Sequence, residues 1–323
     1  MLKCLDKLLF ASVVCFVFSY FVSSSYAGQL NVSGWMGVDY RWSEDQSVSD
    51  SFGVRYAWMN FIGELQDGFS YVLGFDAAAG SNIMRDASIK YKGLPYGINA
   101  TAGQFVAPFS YAVLTAPPKW PTIELAVNAL LVPIYDRGLM IDSSLLDNKL
   151  YYALAVINGT GGNAADDNKS KDVVGRVLYS PLKDLSFGLS AQTGRQTLTG
   201  SYEGERTRYD VLFIYEPGVF RLIGEYVFQN SERTAGLSNE YSHCWYVTAI
   251  YPFFQKLDGV LQYSQYDPDQ SASGDKQDAA TLGCNYHFNE NYTLQANFRH
   301  LIEEPGGDQL NNNQFLLHLI VSF

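Results

Sequence analysis

From Leu30 to the last residue, apolar and polar side chains repeatedly trade places every second position. No apolar run of helix-spanning length follows residue 22. The final ten residues, QFLLHLIVSF, carry the pattern most plainly. Phe315, Leu317, Leu319, Val321 and Phe323 share one face of an extended strand, and Gln314, Leu316, His318, Ile320 and Ser322 share the other. Taken alone, such a strand fits a wall between lipid and a wetter interior, and equally the last strand of a soluble β-sandwich.

Composition favours the first of these. The chain has 23 Tyr, 20 Phe and 5 Trp, yet charged residues are only 17% and mean hydropathy is close to neutral. A chain that crosses a membrane as strands averages out in this way, because every second residue can be polar. Aromatic girdles at the two membrane interfaces would account for the Tyr, Trp and Phe.

The same alternation marks sixteen segments, expected near 29–42, 53–66, 69–78, 84–92, 97–105, 135–142, 148–158, 172–180, 184–195, 205–216, 219–230, 241–253, 257–267, 278–288, 291–302 and 314–323. An even count suits a single-chain bacterial barrel and brings both chain ends to one side. Connections alternate as well. Asp67-Gly68, Pro217-Gly218, Phe254–Lys256 and Asn289-Glu290 are short, whereas 43–52, 159–171, 196–204, 231–240, 268–277 and 303–313 read as long and polar. Short turns on one side and long loops on the other match the periplasmic and external ends of such a barrel.

Two stretches fall outside the pattern. Lys3 and Lys7, the apolar run Leu8–Val22 and the small-residue site Ser25-Tyr26-Ala27 read as a secretory signal peptide over residues 1–27, leaving a barrel domain over 28–323. Cys15 invites a lipoprotein reading, which the surrounding residues do not favour. Without the leader, 22 basic side chains less Lys3 and Lys7 leave 20, and 33 acidic ones less Asp6 leave 32, a formal charge of −12. That balance lacks the basic footprint of a nucleic-acid binder. Cys244 and Cys284 remain, too few for a disulfide framework, and no spacing suggests a metal or cofactor site. The second exception is 106–134, VAPFSYAVLTAPPKWPTIELAVNALLVPI from its first residue, proline-rich and weakly polar. A loop this long is usually functional. Inside a barrel it would fold into the lumen and narrow it, with a short helix expected within Thr122–Leu131; the alternative is a loop over the outer rim or against a neighbouring subunit.

Several segments resemble a known family. Arg85-Asp86-Ala87, Gly103-Gln104-Phe105-Val106-Ala107-Pro108-Phe109-Ser110, Asp136-Arg137-Gly138, Leu150–Gly161, Lys171–Tyr179 and the terminal Phe323 are similar, in that order, to motifs of the phosphate-selective porin O and P family. The resemblance spans most of 53–181. It implies a sixteen-stranded, homotrimeric outer-membrane channel with an inward constriction loop, passive diffusion, and anion or phosphate selectivity. The chain departs from that family where selectivity would be set. Anion selection needs rings of Arg or Lys, and the loop offers Lys119 with Glu124 nearby. Arg55 is followed by Tyr56 where the family often carries an Arg pair.

Strand parity places Arg41, Lys90, Lys92, Arg176, Arg206, Arg208, Arg221 and Arg299 on the polar face, with Asp39, Asp76, Asp86, Asp210, Glu225 and Asp258. The candidate pore-lining set is Lys119, Glu124, Arg41, Arg55, Lys90, Arg137, Arg176, Arg208, Arg221 and Arg299. Nearly balanced signs suggest a transverse field rather than an anion ladder. Catalysis is not expected, since no GxSxG, HExxH or phosphate loop occurs and no nucleophile converges on the four histidines. The expected function is a water-filled channel for small polar solutes or ions in the outer membrane of a Gram-negative bacterium. The alternative is a non-conducting barrel acting through its external loops.

Overall fold

The computed structural model describes residues 30–126, 131–198, 202–234, 238–303 and 312–323. The expected leader, 1–27, lies outside them. Sixteen strands follow in order: β1 (Leu30–Ser43), β2 (Ser51–Glu64), β3 (Phe69–Asp76), β4 (Met84–Tyr91), β5 (Asn99–Val106), β6 (Tyr135–Leu145), β7 (Leu150–Ile157) and β8 (Asp172–Leu182), then β9 (Leu185–Thr197), β10 (Glu203–Tyr215), β11 (Arg221–Thr234), β12 (Ser238–Phe254), β13 (Leu257–Asp267), β14 (Gln277–His287), β15 (Tyr292–Glu303) and β16 (Gln314–Ser322). Each pairs antiparallel with its sequence neighbours, and β16 returns to β1, so the sheet is a closed barrel. Closure runs from Ser43↔Gln314 to Trp35↔Ser322, and Gly34 and Phe323 exchange backbone hydrogen bonds of 2.9 and 3.0 Å. No helix among the described residues is long and apolar enough to cross a membrane. A closed sheet leaves no unpaired edge, as a barrel lodged in hydrocarbon requires.

The two faces of β16 show how period two became inside and outside. Phe315, Leu319 and Phe323 point outward and are exposed, whereas Leu316, His318 and Ile320 are buried within the barrel. A charge at the outward face mid-span would therefore sit in lipid. Leu319→Arg is expected to cost about 2–4 kcal/mol of folding stability, measured by urea unfolding in lipid vesicles. An unchanged midpoint would mean that Leu319 does not meet lipid.

Strand extends into two of the connections expected to be long. β9 and β10 run on to Thr197 and from Glu203, and β11 and β12 to Thr234 and from Ser238. Cross-strand ion pairs hold these polar extensions, Arg195 with Glu205 at 3.6 Å and Arg233 with Glu240 at 2.5 Å. Alternation fades there because neither face of a strand beyond the apolar band needs to be apolar. Lys92 also departs from expectation. It lies just past the end of β4 and pairs with Glu64 at 3.0 Å, both exposed at the short-turn rim rather than in the lumen.

Candidate functional site

Between β5 and β6 the chain turns into the barrel. A helix inside a lumen would satisfy its own backbone; this loop is mostly irregular, so its polar groups must find partners on the wall. They do. The Phe109 carbonyl accepts from Arg176 and from Ser190 Oγ (2.7 Å). A four-residue helix, α1 (Tyr111–Leu114), directs the Tyr111 and Ala112 N–H groups at the Glu225 carboxylate, at 2.6 and 3.3 Å. Gln295 donates to the Trp120 carbonyl at 2.9 Å and Asn285 to the Pro121 carbonyl at 3.0 Å. Gln262 donates to Thr122 Oγ1 at 3.2 Å, and Ile123 N–H donates to Asn297 Oδ1 at 2.8 Å. The loop thus touches β8, β9, β11 and β13–β15 before reaching β1 and β2, which places it inside the lumen.

Helix α1 precedes the span where a helix was expected. Thr122–Ala126 is bent chain, and 127–130 lie outside the described residues. The wall Asn297 accepts from the Ile123 N–H within this bent stretch. Apolar burial completes the anchoring. Ala107, Phe109, Ala112, Leu131 and Val132 pack on inward residues of β7–β12, among them Ile157, Val174, Leu212, Ile223 and Val227. Phe109 is fully buried, a burial that stabilises by about 1.5–3 kcal/mol. That side of the lumen is therefore a packed core.

The loop's charged end meets β1 and β2. Glu124 accepts from Arg41 and, at 2.9 Å, from Arg55, whose Nε also reaches Asp39 at 2.9 Å. A β-bulge arranges this. Gly37 pairs with Tyr56 and Val38 with Val54, leaving Arg55 as the extra residue. Arg55 and Tyr56 consequently both face inward, the Tyr56 ring lying edge-on to His318 and to Trp120 at 5.6 and 6.2 Å. Strict parity would have sent one of the two outward.

The other candidates are spread around the barrel. Lys90 binds Asp142 at 2.9 Å, joined there by Asn99 at 2.8 Å. Arg176 lies 3.5 Å from Asp210, and Arg208 donates to Gln229 at 2.8 Å and Gln192 at 3.0 Å. Arg221 holds Glu216 and donates to the Tyr111 hydroxyl at 2.6 Å. Lys119 is exposed toward the short-turn end. Arg299 lies within electrostatic reach of Glu124. Arg137 donates to Gln104 Oε1 at 3.3 Å and the Ala164 carbonyl at 3.1 Å, tying the 158–171 connection to β5. Gln104 itself lies where β5 leaves β4. Gly103 has φ +126°, and a Cβ there would stand 2.2 Å from the Ala87 carbonyl oxygen, so only glycine allows the break. The Gln104 amide then donates to the carbonyls of Met84 and Arg85, at 3.3 and 2.7 Å.

Three cavities follow one another along the barrel. The upper one, about 350 Å³, is bounded by Gly159–Asn163, Arg206 and Arg208. A middle one of about 390 Å³ shares Arg85, Ile134 and Tyr135 with it. The lower one, about 480 Å³, shares Trp120 with the middle cavity and reaches Glu216, Asp258 and His287 at the short-turn end. Sequence parity found many of the charges but not the middle cavity's aromatic wall or the Asn and Gln side chains that hold the loop. Nothing in period two distinguishes a lumen residue that binds the loop from one that faces water.

Residues 51–323 match the family model described as "Putative beta-barrel porin-2, OmpL-like". The chain belongs to this porin family. No curated protein matches it. Among solved structures it is similar to the outer membrane channel DcaP of Acinetobacter baumannii, at 13% identity over 93% of this chain and 99% of that one, with a TM-score of 0.69. An anion-selective porin from Comamonas acidovorans shares 14% identity over 91% and 99%, TM-score 0.65. OmpT of Vibrio cholerae, in a trimer form, shares 11% over 92% and 100%, TM-score 0.65. These likenesses are of fold. The family makes this a porin barrel, and the finer resemblance of 53–181 to phosphate-selective porins is a narrower reading than the family carries.

Proposed function

We propose that the protein is a passive, water-filled diffusion channel for small polar solutes or ions, exported by a leader cleaved after Ala27 and assembled as a homotrimer. The observation that carries this reading is the inward loop with cavities adjoining it toward both ends of the barrel. The trimer form of a structural neighbour supports the assembly. No catalytic role is assigned to any residue.

Anion or phosphate preference draws support from the motifs in 53–181 and from the anion-selective neighbour. The charge pairing weighs against it, because Arg41, Arg55, Arg85, Lys90, Arg176, Arg206 and Arg221 each face a carboxylate. Paired cations do not make the exposed ring that selects anions. Purified protein in planar bilayers under a salt gradient is expected to give discrete channels with weak selectivity and no block by added phosphate. A strong anion preference with phosphate block would restore the narrower reading. Folded protein without conductance would favour a non-conducting barrel acting through its external connections.

A further inference from the structure

One charged side chain of the middle cavity has no partner among the described residues. Four charged residues line it: Arg55, Asp76, Arg85 and Asp86. Arg55 is committed to Asp39 and Glu124, and Arg85 to Asp76 at 3.0 Å. Asp86 is half-buried, and no hydrogen bond or ion pair reaches it from the described residues. The cavity's uncompensated charge is therefore a single carboxylate.

Its walls are aromatic. Tyr56, Trp58, Trp120 and Tyr135 all face it. Two of these rings already accept a cation from within the protein, the Arg85 guanidinium lying 5.4 Å from the centroid of Trp58 and 6.0 Å from that of Tyr135. Ring faces attract cations through their quadrupole, the more so when water is excluded. A half-buried carboxylate without partners is costly until a positive group pairs with it.

We propose that this cavity is a binding site for an organic cation with a small apolar body, an alkyl- or arylammonium. The ammonium pairs with Asp86 and the apolar body lies against the aromatic wall. About 390 Å³ is within the size of small-molecule pockets. An anion of the same shape would meet the Asp86 charge, and a neutral polyhydroxylated ring would leave that charge uncompensated. The site depends on the channel reading only for its role in permeation, so binding and conduction are measured separately.

The test uses benzylammonium, benzenesulfonate and glucose as probes, by calorimetry on folded protein in detergent and as additions to bilayer channels. Benzylammonium is expected to bind and to reduce conductance, and the other two to do neither. Asp86→Asn and Asp86→Ser are expected to weaken benzylammonium binding by at least about tenfold, with Asp86→Glu retaining it. Folding of each variant is checked by heat-modifiable migration. Equal binding by the wild-type protein and the neutral variants would overturn the proposal, as would preference for benzenesulfonate or glucose. Channels that conduct without benzylammonium block or binding would remove the site and leave the channel. Binding without conductance would leave the site and remove the channel.

Discussion

Removal of residues 314–323 is expected to abolish the folded barrel altogether. β16 pairs along its length with both β15 and β1, so its loss opens two edges at once. In hydrocarbon each unsatisfied backbone group costs several kcal/mol, far beyond what the rest of the fold can offset. It also removes Leu316, His318 and Ile320 from the interior wall, where they are almost wholly buried. The measurement is heat-modifiable migration and protease resistance after refolding into detergent or vesicles. Wild-type chain should show both and truncated chain neither. A truncated chain that still migrates as a compact form would mean that neighbouring strands reclose without β16, which the register does not anticipate.

Glu124→Gln is expected to shift ion preference toward anions. The substitution keeps shape and removes the carboxylate shared by Arg41 and Arg55, leaving two guanidinium groups, with Arg299 nearby, facing the lumen with Asp39 alone beside Arg55. Breaking one side of such a cluster costs about 1–3 kcal/mol locally, discounted because Arg41 and Glu124 are roughly a third exposed. The loop should nonetheless stay in the lumen, since its other anchors, Glu225, Asn297, Gln295 and the burial of Phe109, are untouched. The reversal potential under a salt gradient should move in the anion direction at about 0.1 M salt, where screening extends about 10 Å, and less near 1 M, where it falls to about 3 Å. Glu124→Lys should move it further. Identical reversal potentials for all three proteins would show that permeating ions do not pass this cluster, whatever the width of the channel.

The position of this cluster explains how far a linear reading can go. Each partner is a recognisable residue type on a predictable face, and Arg41 and Glu124 were both candidates from sequence. Their meeting was not legible, because 83 residues separate them and the path between is set by contacts made elsewhere on the wall. Ile123 and Asn297 are 174 residues apart, and an asparagine on a polar strand face looks the same whether it holds a loop or faces water. The bulge at Arg55 is a one-residue irregularity that reverses local parity, and only its register with Gly37 and Val38 reveals it.

By itself the sequence determined the barrel. Lipid on one side and a packed or wet interior on the other impose period two on every crossing strand, so sixteen segments and most of their inner and outer faces could be read from one chain, while the 106–134 loop was open between the lumen and the outer rim. Tertiary structure decided the interior. It placed a packed apolar core against β7–β12, paired most of the basic residues with carboxylates and left Asp86, beside aromatic rings, without a partner among the described residues. The physical reason is one of range. A strand's outer face is set by its solvent, which acts on each residue separately, whereas charges and hydrogen bonds inside the lumen are satisfied by partners that only closure of the barrel brings within reach.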